Sequence, residues 1–251
     1  MASVPLDRIA LISDVHGNLT ALEAVLADIA ARGIMHIVNL GDTAGKGPRG
    51  SAAVARVQEA CAVNVRGNWD DFLDTIPDEG PAEMVWWRDE LTAAQRLWLR
   101  TLPLCHDLAL SGRRIRLFHA SAESPHVRVH FHHTAEQFDG MFRATEMTGP
   151  GVAPDVVGYG DIHDAYIESA DGRTLFNVGS VGNPLDEPTP SYVILEGELD
   201  GERGAPFGVQ FVRVPYDVEA EIAVARERAM PTADVWEIEL RTAVYRGRQT
   251  A

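Results

Sequence analysis

The sequence predicts an α/β protein whose first half is built on parallel strands and whose second half is mainly β. Between residues 9 and 65, short apolar runs alternate with stretches of helical period, the pattern of strands joined by crossover helices. Beyond Pro103, strand-like runs follow one another, mostly separated by Gly, Asp and Pro turns. Several of these runs end in Asp, His or Asn.

Ile9-Ala10-Leu11-Ile12-Ser13 is the first strand-like run, stopping at polar residues. Leu19, Leu22, Val25, Leu26 and Ile29 then fall at helical spacing before Gly33, which predicts a helix within 18–32. His36 to Leu40 repeats the strand, 51–60 repeats the helix, and Ala62 to Val65 gives a third strand. Thr92 and Gln95 have the spacing of a capping box, followed by Leu97, Trp98, Leu99 and Leu102. Further strands are expected at 104–110, 114–119, 155–159, 165–169, 174–178, 191–196 and 207–214, with one helix near 134–147. Residues 217–245 read as helical with a break at Pro231. The expected organisation is one domain over 1–216 and a helical extension over 217–251 packed on it.

At 251 residues and 45% hydrophobic, the chain is long enough for a large core. Its formal charge of −15 sets up a field that repels polyanions, so nonspecific nucleic-acid binding is not expected. No run approaches the roughly 18 apolar residues of a membrane span, and the N-terminus does not resemble a signal peptide. Cys61 and Cys105 form no CxxC, which fits two buried reduced thiols in a cytoplasmic protein and leaves a single disulfide open.

The run-ending residues are metal-ligand types. The first run leads into Asp14 and His16, the second into Gly41-Asp42, and the third into Arg66-Gly67-Asn68-Trp69-Asp70; later runs end at His119 and at Asp161-Ile162-His163. In a parallel α/β sheet the carboxyl ends of the strands open into one crevice, so groups distant in sequence converge there. Side chains at i and i+2 of an extended segment share a face, which would let Asp14 with His16, and Asp161 with His163, each offer two ligands. Singly, each residue is also explained by a cap, a turn or a satisfied core histidine. The recurrence at five strand ends is what points to a metal site.

DVH at 14–16, GD at 41–42, GNWD at 67–70, the strand-borne His119 and GDIH at 160–163 resemble the motifs DxH, GD, GN[HC]D, H and GHxH of calcineurin-like metallophosphoesterases. The resemblance runs from about residue 8 to residue 196, and GDTAGKGP at 41–48 and FNVGSVGNP at 176–184 look like its bacterial phosphodiesterase branch. It implies a four-layer αββα sandwich, two mixed sheets flanked by helices. It also implies two divalent ions, one on Asp14, His16, Asp42 and His163, the other on Asp42, Asn68, His119 and Asp161, with Asp42 bridging. The oxygen and nitrogen ligand set suits Mn first, with Fe, Zn or Ni as alternatives. A hydroxide shared by such ions would attack phosphorus in a small phosphate ester or nucleotide. Asn68 and His119 would serve the reaction, and the Arg66 guanidinium would either grip phosphate or form an ion pair with an acid.

Two positions depart from the family pattern. Asp161 stands where the family has histidine; as a ligand it would add negative charge, tightening cations and weakening the pull on phosphate. Trp69 stands where many members carry the histidine that protonates the leaving group, and indole does not titrate usefully. A substitute acid could come from His126, His130, His132 or His133, which read equally as loop residues. A protein-binding scaffold of the same fold is the rival from another class. A phosphoprotein phosphatase or symmetrical dinucleoside polyphosphate hydrolase fits less well, because GDTAGKG lacks the second Asp and the Arg of GDxxDRG. A homo-oligomer is left open.

Overall fold

The computed structural model describes residues 6–249. Strands β1 (Asp7–Ile12), β2 (His36–Asn39) and β3 (Val63–Asn64) lie parallel, joined by helices α1 (Leu19–Ala31) and α2 (Gly50–Ala60). Two late strands, β9 (Ser191–Gly197) and β10 (Gly208–Arg213), complete this sheet antiparallel, in the order β10-β9-β1-β2-β3. The second sheet has the order β4-β5-β6-β8-β7 and is built from β4 (Cys105–Leu110), β5 (Arg113–Phe118), β6 (Val156–Tyr159), β7 (Ala165–Ala170) and β8 (Arg173–Val178). Its central strands β5, β6 and β8 are parallel and its edges antiparallel.

Strand alternation divides the apolar residues between three layers of core. Ile9 and Leu11 of β1 face the second sheet, packing with Val38, Val193 and Leu195 against Leu117, Val156, Phe176 and Val178. Ala10 and Ile12 point the other way, under Leu22, Val25 and Ile29 of α1 and Ala53 and Val57 of α2. The outer face of the second sheet presents Phe118, Val157, Tyr159 and Leu175 to Phe138 and Met141 of α6 (Ala135–Met141). The architecture is therefore the αββα sandwich, with the sheets face to face and helices outside.

Three short elements, α3 (Asn68–Phe72), α4 (Ala82–Asp89) and α5 (Ala93–Thr101), cover one end. The capping box at Thr92 and Gln95 forms as the spacing predicts, with Gln95 N donating to Thr92 Oγ1 at 3.2 Å. Helix α4 is absent from the sequence reading, because it spans only eight residues and fully buries only Trp87. Three expectations change. The third strand keeps two residues, α6 ends at Met141 rather than near 147, and Cys105, on the edge strand β4, is half-buried rather than buried. Both cysteines are free thiols. No described helix is long and apolar enough to cross a membrane.

The C-terminal stretch breaks at Pro231 into α7 (Val218–Glu227) and α8 (Ala233–Thr242). Buried Glu221 of α7 accepts from Thr20 Oγ1 at 2.7 Å and from Arg49. Fully buried Trp236 of α8 lies against Gly47. These contacts seat the stretch on the helices and the 41–50 loop beside the first sheet.

Candidate metal centre

The side chains singled out from the sequence gather where the parallel strands of both sheets end. Asp14 and His16 follow β1, Asp42 follows β2, Asn68 opens α3 after β3, His119 follows β5, and Asp161 and His163 follow β6. All are buried except Asn68, which is half-buried. The pairs do not converge by strand alternation, as the i, i+2 reasoning expects. Asp14, His16, Asp42, Asp161 and His163 have φ of 54°, 48°, 55°, 66° and 63°, left-handed conformations that residues other than glycine seldom adopt. Loop hydrogen bonds enforce them: Asp14 N donates to Gly41 O, His16 N to Asp42 O and Gly182 N to Asp14 O, each at 2.9 Å. Strain concentrated at these ligand-type residues is what a preorganised site looks like.

The first cluster joins Asp14, His16 and His163. Asp14 Oδ1 is 3.6 Å from His16 Nε2 and 3.2 Å from His163 Nε2, and the two imidazole nitrogens are 3.2 Å apart. That Asp14 oxygen is buried with no hydrogen-bond partner, while Oδ2 accepts from Asp161 N at 3.0 Å. The second cluster joins Asp14, Asp42 and His119. Asp42 turns Oδ2 toward His16 Nε2 at 3.6 Å and Oδ1 toward His119 Nε2 at 3.5 Å, so its carboxylate lies between the clusters. Asn68 Oδ1 meets His119 Nε2 at 3.0 Å.

Surrounding groups fix the imidazole tautomers. His119 Nδ1 donates to Leu40 O at 2.9 Å and His163 Nδ1 donates to Asn183 O. A carbonyl only accepts, so each Nδ1 carries a hydrogen and Nε2 is the nitrogen turned to the cluster, the arrangement of a metal-ligating histidine. An unpartnered buried carboxylate oxygen among such nitrogens fits a divalent cation. The FNVGSVGNP segment supplies the support, since Ser180 Oγ donates to Asp14 O at 2.7 Å. Glycine is required at Gly67, where a Cβ would lie 2.1 Å from Asp42 Oδ1.

Four of the positions singled out from the sequence have definite partners in the structure. Both oxygens of Asp161 accept from one guanidinium, Arg128 Nε at 2.9 Å and Nη2 at 2.8 Å, while its Oδ1 lies 3.9 Å from His119 Nε2, at the edge of the second cluster. Its negative charge is therefore compensated by the Arg128 guanidinium. Arg66 donates to Asp71 at 2.9 Å, so the structure has the ion pair rather than a free phosphate-gripping guanidinium. Trp69 packs its ring edge-on to His16, with centroids 5.8 Å apart, and its backbone N donates to Asp42 Oδ1 at 2.9 Å. Of the four loop histidines, His126 Nε2 lies 2.9 Å from Asp71 Oδ2 and His133 Nε2 lies 3.0 Å from Glu168 Oε2, and none joins a cluster. The residues missed from sequence are Arg128, Asp70 and Lys46.

A family model for the calcineurin-like phosphoesterase superfamily domain matches residues 8–200. The chain belongs to that superfamily. The chain is similar to the uncharacterized protein MJ0912 of Methanocaldococcus jannaschii, 28% identical over 238 residues, spanning 84% of this chain and 88% of the relative. The phosphodiesterase YfcE of Escherichia coli K12 is 36% identical over 97 residues, 35% of this chain and 52% of its own. Among solved structures, a metallophosphoesterase from Sphaerobacter thermophilus superposes with a TM-score of 0.71 at 26% identity, over 95% of this chain and 99% of the other.

Within this calcineurin-like frame the two clusters differ in electrostatics. Burial, reinforced by the Lys46 ammonium, pulls His16 down to about 3, so its imidazole is neutral at ordinary pH. Burial also opposes charge on His119, but the carboxylates of Asp42, Asp14 and Asp161 outweigh it and push that group up to about 10. A cation entering beside His119 must displace its proton, so binding there strengthens as pH rises, by up to about tenfold per unit. Calorimetric manganese titrations at pH 6.5 and 8.5, in buffers of different ionisation enthalpy, are expected to show one ion binding more tightly at the higher pH with proton release. Two pH-independent affinities would contradict the assignment.

Proposed function

We propose that the chain is a hydrolase of small phosphodiesters, with phosphomonoesters or nucleotides as further substrates, working with two divalent cations of which manganese is favoured. Asp14, His16, Asp42 and His163 would hold one ion. Asp42, Asn68 and His119 would hold the other, with Asp161 at its edge in a neutral pair with Arg128. The observation that carries this reading is the placement of Asp42, which turns one oxygen to His16 and the other to His119 and so can serve both ions. Bound there, the cations supply an activated water and Lewis acidity for in-line displacement at phosphorus.

The chain's own residues set the geometry. The backbone N–H groups of Asp161 and Trp69 fix the Asp14 and Asp42 carboxylates, and Leu40 O and Asn183 O fix His119 and His163. The Trp69 indole shields one edge of His16 and offers no titrating proton to a departing alkoxide. Leaving groups that need no protonation are therefore preferred, and rates across aryl phosphate esters are expected to fall steeply as leaving-group pKa rises.

The test is metal analysis of protein purified without chelator, followed by turnover of bis-p-nitrophenyl phosphate and p-nitrophenyl phosphate with added manganese, nickel or zinc. Metal uptake with dominant diester turnover supports the reading. Metal uptake with no turnover of either ester would favour a scaffold of this fold, and a flat leaving-group series would require an acid other than Trp69.

A further inference from the structure

Lys46 is the only lysine in the sequence; arginine fills every other basic position apart from histidine. The structure puts this one lysine at the metal centre. The residue is 9% exposed, with Nζ 3.3 Å from His163 Nε2, 3.5 Å from Asn183 Oδ1 and 5.8 Å from the centre of the Trp69 ring. The backbone is held there under strain: Lys46 has φ of 62°, and Gly47 N donates to His16 O at 2.9 Å. A Cβ at Gly45 would lie 2.2 Å from the Trp69 ring, so the loop can hug the indole only with glycine there.

The ammonium lacks a counter-charge in contact. Among the described residues no carboxylate forms an ion pair with it. Buried Glu239 of α8, whose field reaches Lys46, is bound by the Arg246 backbone N at 2.8 Å and by its guanidinium at 2.9 and 2.6 Å. The Asp42 and Asp14 carboxylates act on it from farther off, and a buried cation whose polar contacts are an imidazole nitrogen and an amide oxygen is costly unless an anion completes it. His163 Nε2 cannot serve both the ammonium and a metal, so metal binding there takes away the ammonium's acceptor. An anionic oxygen beside the first cluster would satisfy both cations.

We propose that Lys46 is the phosphoryl-binding residue of this site, its ammonium taking a non-bridging oxygen of the substrate phosphate next to the Asp14, His16 and His163 cluster. This rests on the phosphoesterase reading above and supplies the phosphate-binding cation that Arg66, held by Asp71, does not provide. A compact ammonium on a slender stem fits between the Trp69 ring and His163, where a planar guanidinium would need more room.

Because the chain has one lysine, protein grown on lysine labelled with carbon-13 at Cε gives a single lysine resonance. Zinc-loaded protein, which is diamagnetic, is titrated with inorganic phosphate while calorimetry follows binding. The expected result is a saturable shift of that resonance with the same midpoint as the calorimetric curve. Lys46→Met is expected to bind phosphate about 10- to 100-fold more weakly, as for the loss of a charge-assisted hydrogen bond, with zinc content unchanged. A resonance unmoved at saturating phosphate, or undiminished phosphate affinity in Lys46→Met, overturns the proposal. If Lys46→Met does not fold, the wild-type titration alone decides. Failure of the wild-type protein to take up zinc would overturn the metal-centre reading and this inference with it. Zinc and phosphate binding with a stationary resonance overturns this inference alone.

Discussion

Asp42→Asn is expected to lower kcat/KM for bis-p-nitrophenyl phosphate by about 10³-fold or more, some 4 kcal/mol of transition-state stabilisation, and to reduce the bound metal per chain. The size follows from position. Asp42 sends one oxygen toward His16 and the other toward His119, so losing its charge weakens both prospective cation sites at once, whereas losing Asn68 touches only one. Asparagine preserves the shape and can still accept from Trp69 N, which bonds Oδ1 at 2.9 Å. The loop should therefore survive, and the lost activity reports charge rather than folding. Metal analysis beside kinetics at saturating manganese checks this. An Asp42→Asn protein that keeps two ions and wild-type turnover would remove Asp42 from its bridging place.

The strand ends that carry Asp14, Asp42, His119 and His163 were legible in the sequence because each follows an apolar run whose period announces a strand, and parallel strands deliver their C-terminal ends to one side. How the side chains meet was not legible. The left-handed backbone at Asp14, His16, Asp161 and His163 is imposed by hydrogen bonds between loops more than twenty residues apart, which no local pattern encodes. Arg128 carries no local signal for the same reason: its partner Asp161 lies 33 residues away. Lys46 did carry a compositional signal, as the sole lysine among so many arginines, but composition alone cannot say that it is buried beside His163. Helix α4 was lost because eight residues with one fully buried side chain give periodicity too little to work on.

Asp70 ties the loops of the centre together, and its removal is expected to be the largest stability loss among these residues. Its buried carboxylate accepts from three backbone donors, Asp42 N at 2.8 Å, Thr43 N at 3.1 Å and Gly67 N at 2.9 Å. Alanine would leave all three N–H groups without that acceptor, a loss of about 3–5 kcal/mol, or a Tm about 8–15 °C lower for a chain of this size. Asparagine can keep one oxygen on the Asp42 and Gly67 donors while setting its amide against Thr43 N, so an intermediate loss is expected. Burial and the charge of Asp42 raise the Asp70 carboxyl from 3.8 to about 7. The unfolded chain therefore releases this proton first, and the stability Asp70 contributes declines as pH climbs from about 4 to about 7. Asparagine does not titrate, so the Tm difference between wild type and Asp70→Asn is expected to shrink across that window in chelator. Cations on Asp42 offset the repulsion behind the raised value, and manganese is expected to restore the difference. Thermal unfolding of both proteins at several pH values, with chelator and with manganese, measures it; a difference that grows with pH in chelator would mean that the three N–H donors outweigh burial and keep Asp70 ionised throughout.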